Sequence, residues 1–198
     1  MKNYLTKLFL ITLSLSYFTV YTQDTTLLKR NAIGVGIGTT YYQIQLQDYT
    51  LTTYTLEYQR ELHKSFQYSV SVNYAFQRED DIDPSIAFGT AIDVDVIKID
   101  QILYYTPISQ KQFSPKVGVG FSFLDSKETA KYVLGSKLDP IISNKDYKNG
   151  NLGYINFHPG LDLNLSKDLR VSLLLNYQIY SDIDFATAGI RLQVSKRF

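Results

Sequence analysis

The sequence predicts an all-β chain: an eight-stranded antiparallel transmembrane up-and-down β-barrel, with ten strands as the alternative count, preceded by a cleaved signal peptide. Three observations lead there. Apolar residues recur with a period of two from residue 31 to the C-terminus. The connections between these runs differ in a regular way, short at one end and longer and polar at the other. The N-terminus carries Lys2 and Lys7, then the apolar run LFLITLSLSYFTV, then the polar stretch YTQDTT, which is the layout of a secretory leader.

Composition narrows the function classes. With no cysteine, the 198-residue chain is neither a disulfide-stapled domain nor a lipoprotein held through a lipidated cysteine. Its 20 Lys and Arg stand against 19 Asp and Glu, so no basic surplus points to nucleic acid. Seventeen Tyr and 11 Phe come without any Trp, an aromatic-rich chain of modest hydropathy. The leader's apolar run is shorter than the ~20 residues a spanning helix needs. Residues 1–22 are therefore read as a signal peptide and 23–198 as the barrel domain.

Taken in order, the candidate strands are about 32–41, 51–62, 66–77, 91–106, 115–123, 153–165, 169–180 and 185–198. In the first, Gly34, Gly36 and Gly38 interleave Ile33, Val35 and Ile37, and the phase slips at TTYY. The third is the cleanest: Phe66, Tyr68, Val70, Val72, Tyr74 and Phe76 oppose Gln67, Ser69, Ser71, Asn73, Ala75 and Gln77. No helix produces that split. In the fourth, Ile92, Val94 and Val96 give way to Ile97 and Ile99, and a β-bulge at each slip would account for both irregular strands. Pro159 removes a ladder donor from the sixth strand, so a bulge or a distorted pair is expected there. HKS and SKD make tight turns, PISQKQF a longer one, and the longest connection runs from Leu124 to Leu152. It contains YVLG and DPIIS, the source of the ten-strand alternative.

Alternation leaves open which face is wet. A soluble lipocalin-like barrel turns its apolar rows inward around a ligand, whereas a membrane barrel turns them outward. The polar rows hold Glu57, Asp93, Asp95, Asp162, Arg170 and Arg191 among many amides and hydroxyls, and Tyr and Phe gather near strand ends. Mixed charges can satisfy one another in a narrow lumen, and aromatics at both rims suit two membrane interfaces, so the membrane reading is favoured. These six residues form the expected lumen charge network. Arg60 and Lys196, in phase with apolar rows near strand ends, fit cations that reach for headgroups. The terminal AGIRLQVSKRF aligns Ile190, Leu192, Val194 and Phe198 on one face, as a last strand closing against the first would require.

IKIDQILYYTP (97–107), KVGVGFSF (116–123) and GIRLQVSKRF at the terminus are similar to segments of the small outer-membrane β-barrel proteins of Gram-negative bacteria, the porin family. The resemblance covers the mature chain through degenerate patterns. One departure is Asp100, where that family often has Pro. It implies a barrel in the cell outer membrane, contact with outer-membrane lipid, and Phe198 as a signal for the barrel assembly machinery; it does not imply an open pore.

No catalytic, cofactor or metal site is expected. His63 falls in a turn, and His158 in a polar row beside Asn156 and Asp162 without a serine motif. The acidic loop with Glu79, Asp80, Asp81 and Asp83 does not have calcium-loop spacing, and GVGIG lacks the helix and Lys of a phosphate cradle. The leading expectation is a structural or surface-interaction protein with a mostly filled lumen, its loops 78–90 and 124–152 offered to an extracellular partner. A narrow channel for small solutes is the alternative, and a lipid-modifying barrel enzyme is a third.

Overall fold

The computed structural model describes residues 31–43, 48–78, 88–107, 112–136, 139–180 and 186–198. The segment read as a leader, the acidic loop with Glu79 to Asp83, and the connection after β7 lie outside them. Eight strands succeed one another around a closed barrel: β1 (Asn31–Gln43), β2 (Asp48–His63), β3 (Phe66–Gln77), β4 (Phe88–Tyr105), β5 (Phe113–Ser136), β6 (Asp139–Asn164), β7 (Leu169–Tyr180) and β8 (Ala186–Arg197). Every neighbouring pair is antiparallel, and β1 closes on β8 from Ala32↔Arg197 to Tyr42↔Thr187. Each strand thus finds both ladder partners within the chain, and the closed ring leaves no edge along its wall.

Period two places one row of each strand inside. On β2, Thr53, Thr55, Glu57 and Gln59 are buried while Tyr54, Leu56 and Tyr58 are exposed. On β8, Arg191, Gln193 and Ser195 are inside and Ile190, Leu192 and Val194 outside. Val35, Leu56, Val119 and Leu192, on four different strands, are each more than half exposed. This inverts a soluble barrel: charge and amide fill the interior, and aliphatic side chains cover the outer wall. The lipocalin-like alternative is excluded by that orientation.

The tight ends are built as the sequence suggested. Lys64 and Ser65 form the β2–β3 turn, and the Ser65 N–H reaches the His63 Nδ1 at 3.4 Å. In the β6–β7 turn the Ser166 hydroxyl accepts the N–H groups of Asp168 and Leu169 at 3.2 and 3.0 Å, satisfying donors that the ladder leaves free.

Four expectations change. β1 and β4 show no register shift against either neighbour, so no bulge forms at TTYY or at 96–97. Tyr42, Val94 and Val96 simply point inward, because this end of the lumen is lined by apolar side chains: Tyr42, Tyr49, Leu51, Ala75, Val94, Val96 and Leu124 pack as one cluster. The connection between β1 and β2 is correspondingly shorter than expected. The bulges that do occur lie at Glu61/His63, Gly120/Ser122 and Gly153/Ile155, and the β6–β7 ladder is interrupted at His158 and Pro159, between Phe157↔Tyr177 and Gly160↔Leu174.

The fourth change concerns the long connection. YVLG and DPIIS do pair, through Val133↔Ile142 and Leu134↔Ile141, but as the far end of the β5–β6 hairpin and not as a ninth and tenth strand. β5 has 24 residues and β6 has 26, against 12 in β3, β7 and β8. At about 3.3 Å per residue β5 covers roughly 80 Å of strand. β3 ends opposite Val94 and β7 opposite Gly153, while β4 follows β5 up to Phe88↔Leu134. Three strands, β4 to β6, therefore stand above the rest of the wall as a blade.

Candidate functional site

Four of the six residues assigned to the lumen from the sequence are inside: Glu57, Asp162, Arg170 and Arg191. Asp93 and Asp95 are not. They occupy outward positions of β4, because the uninterrupted register puts Val94, Val96, Lys98 and Asp100 inside. Asp95 is paired with Arg78 at 2.7 Å on the outer wall, with side-chain exposures of 36% and 48%, where water screens the pair.

The interior carries more charge than the sequence reading placed there. Near the tight-turn end, the Asp162 carboxylate takes the Lys116 ammonium at 2.7 Å, the Arg170 guanidinium at 3.2 Å and the Ser172 hydroxyl at 2.6 Å. Arg170 also donates to Gln67 at 3.3 Å and to Gln59, and Gln59 donates to Glu57 at 2.8 Å. Glu57 further accepts from Ser69 and Gln193, with Arg191 at 3.9 Å. Arg191 then reaches Asn73 at 3.1 Å, Asn73 donates to Asp100 at 2.8 Å, and Asp100 is flanked by Lys98 at 3.5 Å and by the Gln178 amide at 3.1 Å. A single network of ion pairs and amides thus runs up the lumen. Its four cations and three carboxylates named here are each held by a partner of opposite charge, which is what allows so many charges out of water.

Two other layers close the interior. Tyr104 packs with Ile102 and Leu174, its ring under the Lys116 ammonium at 4.8 Å and edge-on to His158. Above the charges sits the apolar cluster already described, tied across the mouth by the Tyr49 hydroxyl donating to the Glu128 carboxylate at 2.9 Å. His158 is buried beside Tyr104, with Nδ1 3.5 Å from the phenol oxygen; His63 serves its turn.

The glycines of β1 make this packing fit. A Cβ on Gly34 would come within 2.5 Å of the Gln193 amide nitrogen, and one on Gly36 within 3.3 Å of the Arg191 Cδ. The β8 side chains lie across β1 in that space and bond to β2 and β3 instead. Lys98, Asp100 and Lys116 were all within reach of the sequence. The first two alternate with the outward Ile97 and Ile99, and that period alone places them inside. Lys116 shares the period of Gly118, Gly120 and Ser122 and could have been found from it.

The outer wall has a feature of its own where β2 and β3 meet the foot of the blade at β4. Tyr54, Tyr74 and Phe76 present near-parallel rings: Tyr54 and Phe76 are 6.4 Å apart at 18°, and Tyr74 and Phe76 5.6 Å apart at 26°. The Arg78 guanidinium lies 5.7 Å from the Phe76 centroid, and Asp95 accepts from both the Tyr74 hydroxyl at 2.9 Å and Arg78.

No protein-family model and no curated protein matches the chain. Among solved structures it is similar to Neisserial surface protein A, at 10% identity and a TM-score of 0.57 over 85% of this chain and 97% of that one. It is similar to Ail, the attachment invasion locus protein of Yersinia pestis, at 11% identity and a TM-score of 0.54 over 87% and 100%. OprG, an outer membrane protein from Pseudomonas aeruginosa, shares 10% identity with a TM-score of 0.54 over 86% and 96%. At such identities the likeness is one of fold, that of the small outer-membrane barrels.

Proposed function

We propose that this chain is an integral protein of the bacterial outer membrane with a sealed lumen, acting as a structural or surface-interaction protein through the blade of β4 to β6. The observation that carries the reading is the inversion of the barrel. A strand needs about 9–11 residues to span the bilayer, and the 12-residue strands β3, β7 and β8 meet that with outward rows of Val, Leu, Ile and Tyr. In water those rows would be a continuous apolar surface far larger than a soluble monomer tolerates. Tight turns then face the periplasm and the blade faces outward.

The lumen supports a plug over a channel. Asp162, Glu57 and Asp100 hold the cations across its section, and the Tyr42–Leu124 cluster caps it, so a passing solute would have to break buried ion pairs and desolvate itself against apolar side chains. What remains distinctive is the projecting blade, which agrees with the attachment role that the name of Ail gives to that protein. An assembly-signal role for Phe198 is part of this reading, supported by its exposure at the seam, where its N–H is bonded to the Asn31 carbonyl at 2.9 Å.

The test is heat-modifiable migration of the outer-membrane fraction, followed by planar-bilayer recording. A band shift on boiling and no steady conductance are expected. A soluble periplasmic band without a shift would overturn the membrane assignment, and a steady open conductance would overturn the sealed lumen in favour of the narrow channel.

A further inference from the structure

We infer that the outward patch of Tyr54, Tyr74, Phe76, Arg78 and Asp95 is a binding site for the hydroxyl-rich sugar headgroup of a glycolipid in the outer leaflet; this rests on the membrane reading. The patch continues upward from the apolar rows that would meet acyl chains. Tyr54, Tyr74 and Phe76 follow Leu56 and Val72 on the same outward faces, and Arg78 and Asp95 come next, on the side of the blade. A molecule bound there has its tails on the belt and its headgroup on the patch.

The chemistry favours a sugar over a phosphate. Three near-parallel rings, 48%, 39% and 43% exposed, offer aromatic surface to the C–H faces of a pyranose ring. Beside them the polar groups are a neutralised pair. Arg78 gives one hydrogen bond to Asp95 and two more to the carbonyls of Gln77 and Val94, and Asp95 takes the Tyr74 hydroxyl. A phosphate needs a cation whose charge is not already met. A sugar hydroxyl, which both donates and accepts, is satisfied by a carboxylate and a guanidinium held side by side. The pair is also fixed in place: Arg78 leans on Phe76 and Asp95 is anchored by Tyr74, so few side-chain rotors are lost on binding.

The absence of Trp from the chain makes the test direct, because Phe76→Trp installs a single emitter in the patch. The full mature chain is refolded into phosphatidylcholine vesicles containing one-tenth of a lipid with brominated acyl chains: phosphatidylcholine, phosphatidic acid or diglucosyl diacylglycerol. Enrichment predicts quenching by the glucosyl lipid at least threefold that of brominated phosphatidylcholine, with Arg78→Gln and Asp95→Asn each bringing it down to the phosphatidylcholine level. Equal quenching by glucosyl lipid and phosphatidylcholine in the F76W protein overturns the inference without reference to any further variant. Equal or stronger quenching by phosphatidic acid overturns it as well, since recognition would then be of charge. No quenching by any brominated lipid, with no heat-modifiable band, strikes the membrane reading itself.

Discussion

Replacing Asp162 with Asn tests whether the lumen charges form a sealed network. The carboxylate is 2% exposed and is the shared partner of Lys116 and Arg170, at 2.7 and 3.2 Å. Removing one member of a buried ion pair leaves an uncompensated charge and costs about 3–5 kcal/mol. Because Asp162 serves two cations, the loss belongs in the upper half of that range, about 4–5 kcal/mol. The control is Asp95→Asn on the outer wall, where the partners are 36% and 48% exposed and the expected loss is under about 1 kcal/mol. Urea unfolding of the refolded barrel in detergent reads both, and at a slope of about 2–3 kcal/mol per molar the Asp162 variant should lose roughly 1.3–2.5 M in midpoint. Adding Lys116→Met to Asp162→Asn should recover part of that, since one of the two stranded cations is gone. If Asp162→Asn falls no further than Asp95→Asn, the interior charges are solvated and the sealed network is wrong.

Three further outcomes are expected. Gly120→Val should sharply lower the heat-modifiable fraction after refolding, because its Cβ collides with the Gln101 carbonyl oxygen of β4 and backbone has nowhere to move. Replacing residues 131–144 with an Asn-Gly turn between the paired Ala130 and Lys145 should leave heat-modifiable migration intact, since the removed rungs lie above the wall of β3 and β7; failure to fold would mean that the blade nucleates the barrel. Phe198→Ala should reduce the folded protein recovered from cells several-fold while leaving refolding of the purified chain in detergent unchanged; equal losses in both would remove the assembly role.

How much of this was legible depended on whether one period governed both faces. Where the inner row is polar and the outer apolar, as in β3 and β8, counting every second residue placed each side chain. Period two does not distinguish a slip in phase from an interior that turns apolar, and β4 did the second: Val94 and Val96 point in with an unbroken ladder. That one ambiguity moved Asp93 and Asp95 to the wrong face, while Lys98 and Asp100, alternating with Ile97 and Ile99, are placed inside under either reading of the slip. The network's connectivity was beyond the sequence for another reason. Glu57 and Gln193, or Lys98 and Gln178, meet across the barrel, at a distance set by strand number and stagger and not by spacing along the chain. The hairpin tip was visible as two β-like segments, but its continuity with β5 and β6 was not, because DSKETAK and SNKDYKNGN look like a polar loop.

The bare inner face of β1 has a consequence for how the ring holds shut. Arg191 and Gln193 reach over Gly34 and Gly36 to Glu57, Asn73 and Thr55, so the last strand is fastened to the second and third as well as hydrogen-bonded to the first. β1 sits under that strap like a slat beneath a clasp. Prising β1 from β8 would therefore not release the wall, because the ladder at the join is backed from within by bonds that skip a strand. The chain's weakest-looking strand, poor in side chains, lies at the seam that is fastened twice.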